Sequence, residues 1–327
     1  MVVNNYQNRN PGRHLERNIM STSTPTPQPL NILAIGASRN IGYHVSLKLL
    51  RTGATVTYLL RNPSIFDNDS SIQPFISSGQ ARIVKGDGLV KEDLTRVWQK
   101  PSHVPTMVTS TISSSPSVRG TPKFSATKGF VFNPPNLVTL SLLNTFSTLP
   151  PSLTSTLKCI IISSAGLTPA SHASIPTLLK PLYTYILDSG PHIDKIGAER
   201  VLHHLVPGWS WTATSGDDKD PSTALLPTDW QNMEGLPKEG ELKHVVVIRP
   251  SLLTDGESKA EKYAEKEKKH PEKVEKMRKK GKVPYRVSAE EELGGYNVSR
   301  KDVAHFVVEL MLKRWDEFGN KIVNISQ

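Results

Sequence analysis

Seven residues, Gly36-Ala37-Ser38-Arg39-Asn40-Ile41-Gly42, carry the strongest chemical signal in the 327-residue chain. They follow a short apolar run, Asn31–Ile35, and open a helical pattern over Ile41–Leu50. A glycine at 36 permits a tight turn, and a glycine at 42 lets a helix pack closely on a strand. Backbone N–H groups at the helix start, together with its dipole, then face an anion such as a pyrophosphate. The pattern reads G-x-x-x-N-x-G, with Asn40 where a further glycine would serve. Gly36, Ser38, Arg39, Asn40, Ile41 and Gly42 are therefore candidate cofactor-binding residues. The strand–turn–helix context raises the motif above an ordinary glycine turn.

The second apolar run, Ala54–Leu60, ends at Arg61. A site for NAD usually places Asp or Glu here to hold the ribose hydroxyls. Arg61 instead offers a fork for a 2′-phosphate, and Arg39 supplies a second cation for the same group. Two arginines and no acid favour NADP over NAD. The competing reading of Arg61 is an ordinary surface arginine.

On these motifs the chain resembles the short-chain dehydrogenase/reductase family. The branch it resembles is the atypical one that holds NmrA-like proteins and small flavin and biliverdin reductases. Gly36–Gly42 resembles the family's phosphate loop, and Gly86-Asp87 its adenine-contacting aspartate position. Ser163-Ser164 resembles its active-site serine, Arg249-Pro250-Ser251 its R-P-x segment, and Ser299-Arg300-Lys301-Asp302-Val303-Ala304 its late helix start. The resemblance covers roughly residues 30–256 and 295–326. It implies NADP(H) binding, with Asp87 at the adenine, Lys195 at the nicotinamide ribose and Ser164 as a polar contact to a small organic substrate.

One departure bears on chemistry. The family's Tyr-x-x-x-Lys pairs a phenol with a lysine, but the position four before Lys195 is Pro191. Lys195 sits at the edge of an apolar stripe, Ala198, Val201, Leu202 and Leu205, whose spacing turns it toward the sheet. There it can hold a ribose hydroxyl without moving a proton. The competing reading is a snorkelling surface lysine. Other candidate proton donors are His192, one turn from Lys195, and Tyr183, Tyr185 and Ser164, each with a plainer structural reading. Two functions stay open: an oxidoreductase reducing a small substrate by hydride transfer, and a non-catalytic NADP-dependent sensor.

These residues need elements to position them. Apolar runs at 31–35, 54–60, 81–84, 106–109, 158–162 and 245–248 read as strands. Helical patterns fall between them, including those near 91–99, 137–146 and 194–206. Strands alternating with helices predict an α/β fold, a doubly wound parallel sheet of Rossmann type with a small C-terminal lobe. Ser299-Arg300-Lys301-Asp302 reads as a capping box opening a final helix to Leu312, and residues 321–325 as a last strand.

Residues 1–29, rich in Asn, Arg, Ser, Thr and Pro, read as a disordered tail before one Rossmann domain over 30–327. Two insertions interrupt that domain. Residues 207–242 hold Trp209, Trp211 and Trp230, which suit packing on the body or a protein partner. Residues 257–282 hold eleven Lys/Arg against six Glu, half of the chain's net +10. That segment reads as a solvated helix broken at Pro271, leaving the ligand-binding edge of the sheet and removable at little cost. Its interleaved glutamates and single aromatic, Tyr263, argue against nucleic acid. The absence of long apolar runs argues against a membrane span, and Cys159 alone allows no internal disulfide. Cys159 lies in a buried-strand pattern and reads as core. The expected setting is the cytoplasm.

Overall fold

The computed structural model describes residues 30–99, 105–110, 123–125, 129–131, 133–182, 190–211, 221–290 and 292–327. The expected tail at 1–29, Tyr183 and Tyr185, and residues 212–220 of the tryptophan-rich insertion lie outside the described residues.

The strands are β1 Asn31–Ile35, β2 Thr55–Leu60, β3 Ala81–Lys85, β4 Met107–Ser110, β5 Lys123–Ser125 and β6 Gly129–Val131. They continue as β7 Lys158–Ile162, β8 Val245–Pro250, β9 Leu252–Thr254, β10 Arg286–Ser288, β11 Asn297–Ser299 and β12 Ile322–Ser326. The helices that position the site are α1 Asn40–Arg51, α2 Lys91–Trp98, α3 Leu137–Ser147 and α4 Pro191–Leu205. Three more, α5 Lys259–Lys269, α6 Pro271–Lys279 and α7 Arg300–Lys313, lie C-terminal to them.

Eight strands form one sheet in the order β10-β12-β8-β7-β4-β1-β2-β3. All its pairings are parallel except β10 on β12. This is the doubly wound Rossmann arrangement expected from the alternating runs. Its central strands β1, β2, β4, β7 and β8 are buried on both faces, and their side chains alternate between two cores. Ile32, Ala34, Ile160, Ile162, Val246 and Ile248 join the core covered by α1 and α7. Leu33, Ile35, Cys159, Ile161, Val245 and Val247 join the core covered by α2, α3 and α4. Each large apolar side chain among them contributes about 1.5–3 kcal/mol by leaving water, so strand register outweighs local propensity. Cys159 is fully buried, and burial pushes its thiol up to about 12, which leaves it inert core as expected.

The tryptophan-rich insertion packs on the body, one of the two roles its sequence suited. Trp230 is buried in the second core, and Trp209 packs against that core while donating to Asn320 O at 3.2 Å. Trp211 and Trp230 meet the rings of His203 and His204 on α4. The three tryptophans are thus turned to the body of the protein.

The charged insertion is helical and broken at Pro271, as expected: α5 ends at Lys269, His270 leaves the helical conformation, and Pro271 opens α6, in whose first turn its missing N–H costs nothing. The segment is not wholly solvated. Ala260 and Val274 are buried, and Tyr263 OH donates to Val274 O at 3.4 Å across the pair. Periodicity judged along one helix misses burial against other elements: Ala260 joins the core covered by α1 and α7. The start of α5 is tied down by the buried Asp302 carboxylate, which accepts from Ser258 Oγ, Lys259 N and Ala260 N at 2.7–3.1 Å. Ser299 caps α7 by accepting from Asp302 N at 3.0 Å, the predicted capping box. The small C-terminal lobe comprises this hairpin and the short β9–β11 ladder.

Candidate functional site

The parallel strands place the candidate residues along one edge of the sheet, beyond the carboxyl ends of β1, β2, β3 and β7. Strand order reverses between β1 and β4, where open α/β sheets bind ligands.

The turn after β1 is built for close approach of an anion. Gly36 has φ +77° and Asn40 φ +55°, so both sit in the left-handed region. Asn40 therefore adopts the backbone conformation for which glycine is usual, and asparagine is among the few other residues that tolerate it. Arg39 precedes α1 with extended backbone and gives it no side-chain cap, and the first turn holds no acidic residue. By contrast, Ser258 and Ser299 cap α5 and α7. The positive end of α1 is thus left for a group from outside the helix. Gly36, Arg39 and Asn40 are exposed, Ser38 is half-buried, and Ile41 and Gly42 are buried beneath them. These residues fit a pyrophosphate.

A groove of about 730 Å³ runs along the ends of β2 and β3, lined by Arg61, Lys85, Gly86, Asp87, Asp93 and Arg96 among others. It brings Arg61 and Asp87 together. Arg39 is not among its lining residues. Arg96, which the sequence motifs did not single out, joins them and pairs with Asp93 at 2.5 Å while donating to Lys85 O at 3.2 Å. Asp93 Oδ2 accepts from Asp87 N at 2.8 Å, and Asp87 Oδ1 accepts from Leu89 N at 3.0 Å. A side chain at Gly86 would meet Leu59 and Asp93 within 3 Å, so a larger residue there would force those neighbours to shift.

At the end of β7 the two serines take different roles. Ser163 is buried and donates to Glu199 Oε1 at 2.5 Å. Glu199 also accepts from Arg249 Nε at 3.1 Å and forms a buried ion pair with its guanidinium. Burial alone would raise the Glu199 carboxyl. The Arg249 charge and the bonds from Arg249 and Ser163 hold it below the ordinary value. Ser163 is thereby committed to a structural lock between α4 and β8. Ser164 remains half-buried, with its Oγ 3.3 Å from His192 Nε2.

The helix α4 starts at Pro191, three residues before the predicted start, because proline suits a first turn. His192 therefore lies inside the helix and is buried. Lys195 faces the sheet and donates to Ser163 O at 3.2 Å. Burial lowers its amine to about 8, opposed by the charges of Asp194 and Glu199. Asp194 faces the other way. It accepts from Val138 N and Thr139 N at 2.8 and 2.9 Å and so caps α3. Burial raises its carboxyl, and those bonds only partly offset this. Ala198, Val201, Leu202 and Leu205 are all buried, as their spacing predicted.

Among the described residues no group of three or more His, Cys, Asp or Glu could hold a metal ion. No helix among them is long and apolar enough to cross a membrane.

No family model and no curated protein matches the chain. Solved structures do. A short-chain dehydrogenase/reductase from Serratia marcescens is 12% identical, with a TM-score of 0.50 over 91% of this chain and 96% of that one. Another short-chain dehydrogenase/reductase, from Vibrio parahaemolyticus, is 10% identical with a TM-score of 0.49 over 90% and 95% of the two chains. L-Sorbose reductase from Gluconobacter frateurii is 11% identical with a TM-score of 0.47 over 91% and 95%. At these identities the likeness is one of fold.

Proposed function

We propose that the chain binds NADP(H) along this edge and reduces a small organic substrate by hydride transfer. The observation that carries the reading is the uncapped start of α1 behind two left-handed residues, Gly36 and Asn40. Gly36–Gly42 would hold the pyrophosphate, Arg61 the 2′-phosphate, with Arg39 as a second cation, and Asp87 the adenine. Lys195 would hold the nicotinamide ribose, giving up its bond to Ser163 O for a ribose hydroxyl. The bound dihydronicotinamide supplies the hydride; the chain's contribution is placement and charge. The motifs fit the atypical, NmrA-like branch of the short-chain dehydrogenase/reductases, as one Rossmann domain over residues 30–327. A reducing compartment such as the cytoplasm suits the single buried thiol.

A second reading, a non-catalytic NADP sensor, is favoured by Pro191 standing where the family's phenol would be. Turnover of NADPH with a panel of quinones, flavins and carbonyl compounds separates the two. The cofactor assignment is tested by titrating NADPH and NADH into the parent and Arg61→Asp. A preference for NADPH of about tenfold or more is expected in the parent and should vanish in the variant, since a phosphate–guanidinium bond is charge-assisted. Equal affinities in the parent overturn the choice of NADP.

A further inference from the structure

The missing phenol leaves the reduction without its usual acid, and the structure places another behind the serine that faces the site. We propose that Ser164 and His192 form a proton relay for reduction of a carbonyl substrate, an inference that rests on the hydride-transfer reading above. Ser164 Oγ stands 3.3 Å from His192 Nε2 at the carboxyl end of β7, beside the lysine reach of α4. His192 is 2% exposed, so it meets solvent and substrate through Ser164 rather than directly. The neighbouring groups have other tasks. Lys195 is bonded to Ser163 O, Asp194 caps α3, and Glu199 is paired with Arg249 and Ser163. Ser164 is thus the serine left over for substrate, and His192 the titratable side chain in contact with it.

In the reaction the carbonyl carbon accepts the hydride, and its C=O π pair moves onto oxygen as an alkoxide. The Ser164 O–H bond breaks as a new O–H bond forms on that oxygen. Ser164 Oγ takes a proton from the His192 imidazolium Nε2–H in the same event. The neutral imidazole regains its proton from water before the next turnover. The products are an alcohol and the oxidised nicotinamide. Ser164 touches the reacting oxygen; His192 acts through it as a positioning and relay residue. Positioned acids of this kind contribute about 10²–10⁴-fold to rate.

The test uses the full chain and three variants, His192→Gln, His192→Ala and Ser164→Ala. NADPH affinity is measured first by fluorescence titration. Turnover is then measured with a panel of aldehydes and ketones, and the His192 ring signal is followed by NMR. The glutamine variant keeps a polar side chain of similar reach, so folding is preserved where alanine fails. Expected are NADPH affinities and KM within about threefold of the parent, kcat lowered about 100-fold in each variant, and partial rescue of His192→Ala by added imidazole. The His192 ring signal should shift in Ser164→Ala without any cofactor present. Unchanged kcat in His192→Gln, an unmoved ring signal in Ser164→Ala, or a parent that binds NADPH yet reduces none of the carbonyls overturns the relay alone. A parent that does not bind NADPH overturns the cofactor reading and the relay with it.

Discussion

Replacing Lys195 by methionine should remove a pH dependence from folding. The amine is held beside Ser163 O at 3.2 Å, and burial lowers it from the ordinary 10.5 to about 8. Below pH 8 both folded and unfolded chains carry its proton, and the fold bears the whole cost of burying the ammonium. Between 8 and 10.5 the unfolded chain binds the proton and the folded chain releases it, so stability rises with pH. Above 10.5 both are neutral and the cost is gone. That displacement corresponds to about 3 kcal/mol, of which about 2 kcal/mol is recovered between pH 8 and 10. Methionine fills similar space without titrating and forfeits one hydrogen bond, a pH-independent loss of about 1 kcal/mol. Urea unfolding of parent and Lys195→Met, followed by tryptophan fluorescence at pH 8, 9 and 10, isolates the group, because every other titration cancels in the difference. The parent should gain about 2 kcal/mol on the variant over that range. A difference flat to within about 0.5 kcal/mol would show that the amine is solvated like any surface lysine, and its proposed place at the ribose would lose its basis.

Two further perturbations address the frame around the site. Glu199→Gln leaves the buried Arg249 guanidinium with only the more distant Glu292 carboxylate, at 3.9 Å, as counter-charge, and should lower unfolding free energy by about 3 kcal/mol in a guanidinium titration; a loss under about 1 kcal/mol would mean that the lock between α4 and β8 is solvated. Replacing residues 257–282 by a short Gly/Ser linker should cost about 2–4 kcal/mol, because Ala260 and Val274 lose their burial and Asp302 loses three donors; an unchanged Tm would restore the reading of a solvated appendage.

The sheet was largely legible because its central strands are buried on both faces. Runs such as Asn31–Ile35 and Lys158–Ile162 have the same bounds in sequence pattern and structure. The short strands β5, β6, β9, β10 and β11 were not legible. Each spans three residues, too few for any period to show, and exists only because a partner strand is nearby. Arg96 illustrates the same limit in the site. On α2 it reads as a solvent-facing helix residue, and only the packing of α2 beside β3 sets it in the groove with Arg61 and Asp87.

By itself the sequence determined the doubly wound order of elements, the glycine turn opening α1, and the inward face of α4. Those features are local: a φ preference, a helix period and a cap each involve residues a few positions apart. Tertiary structure alone decided which serine is spent and which is left. Ser163 and Ser164 are adjacent and chemically identical, and both lie just past the end of β7 beside α4. One meets Glu199, from α4, and the other meets His192, three residues before Lys195 on the same helix. No pattern along the chain separates the two, because the distinction arises where α4 crosses the end of β7.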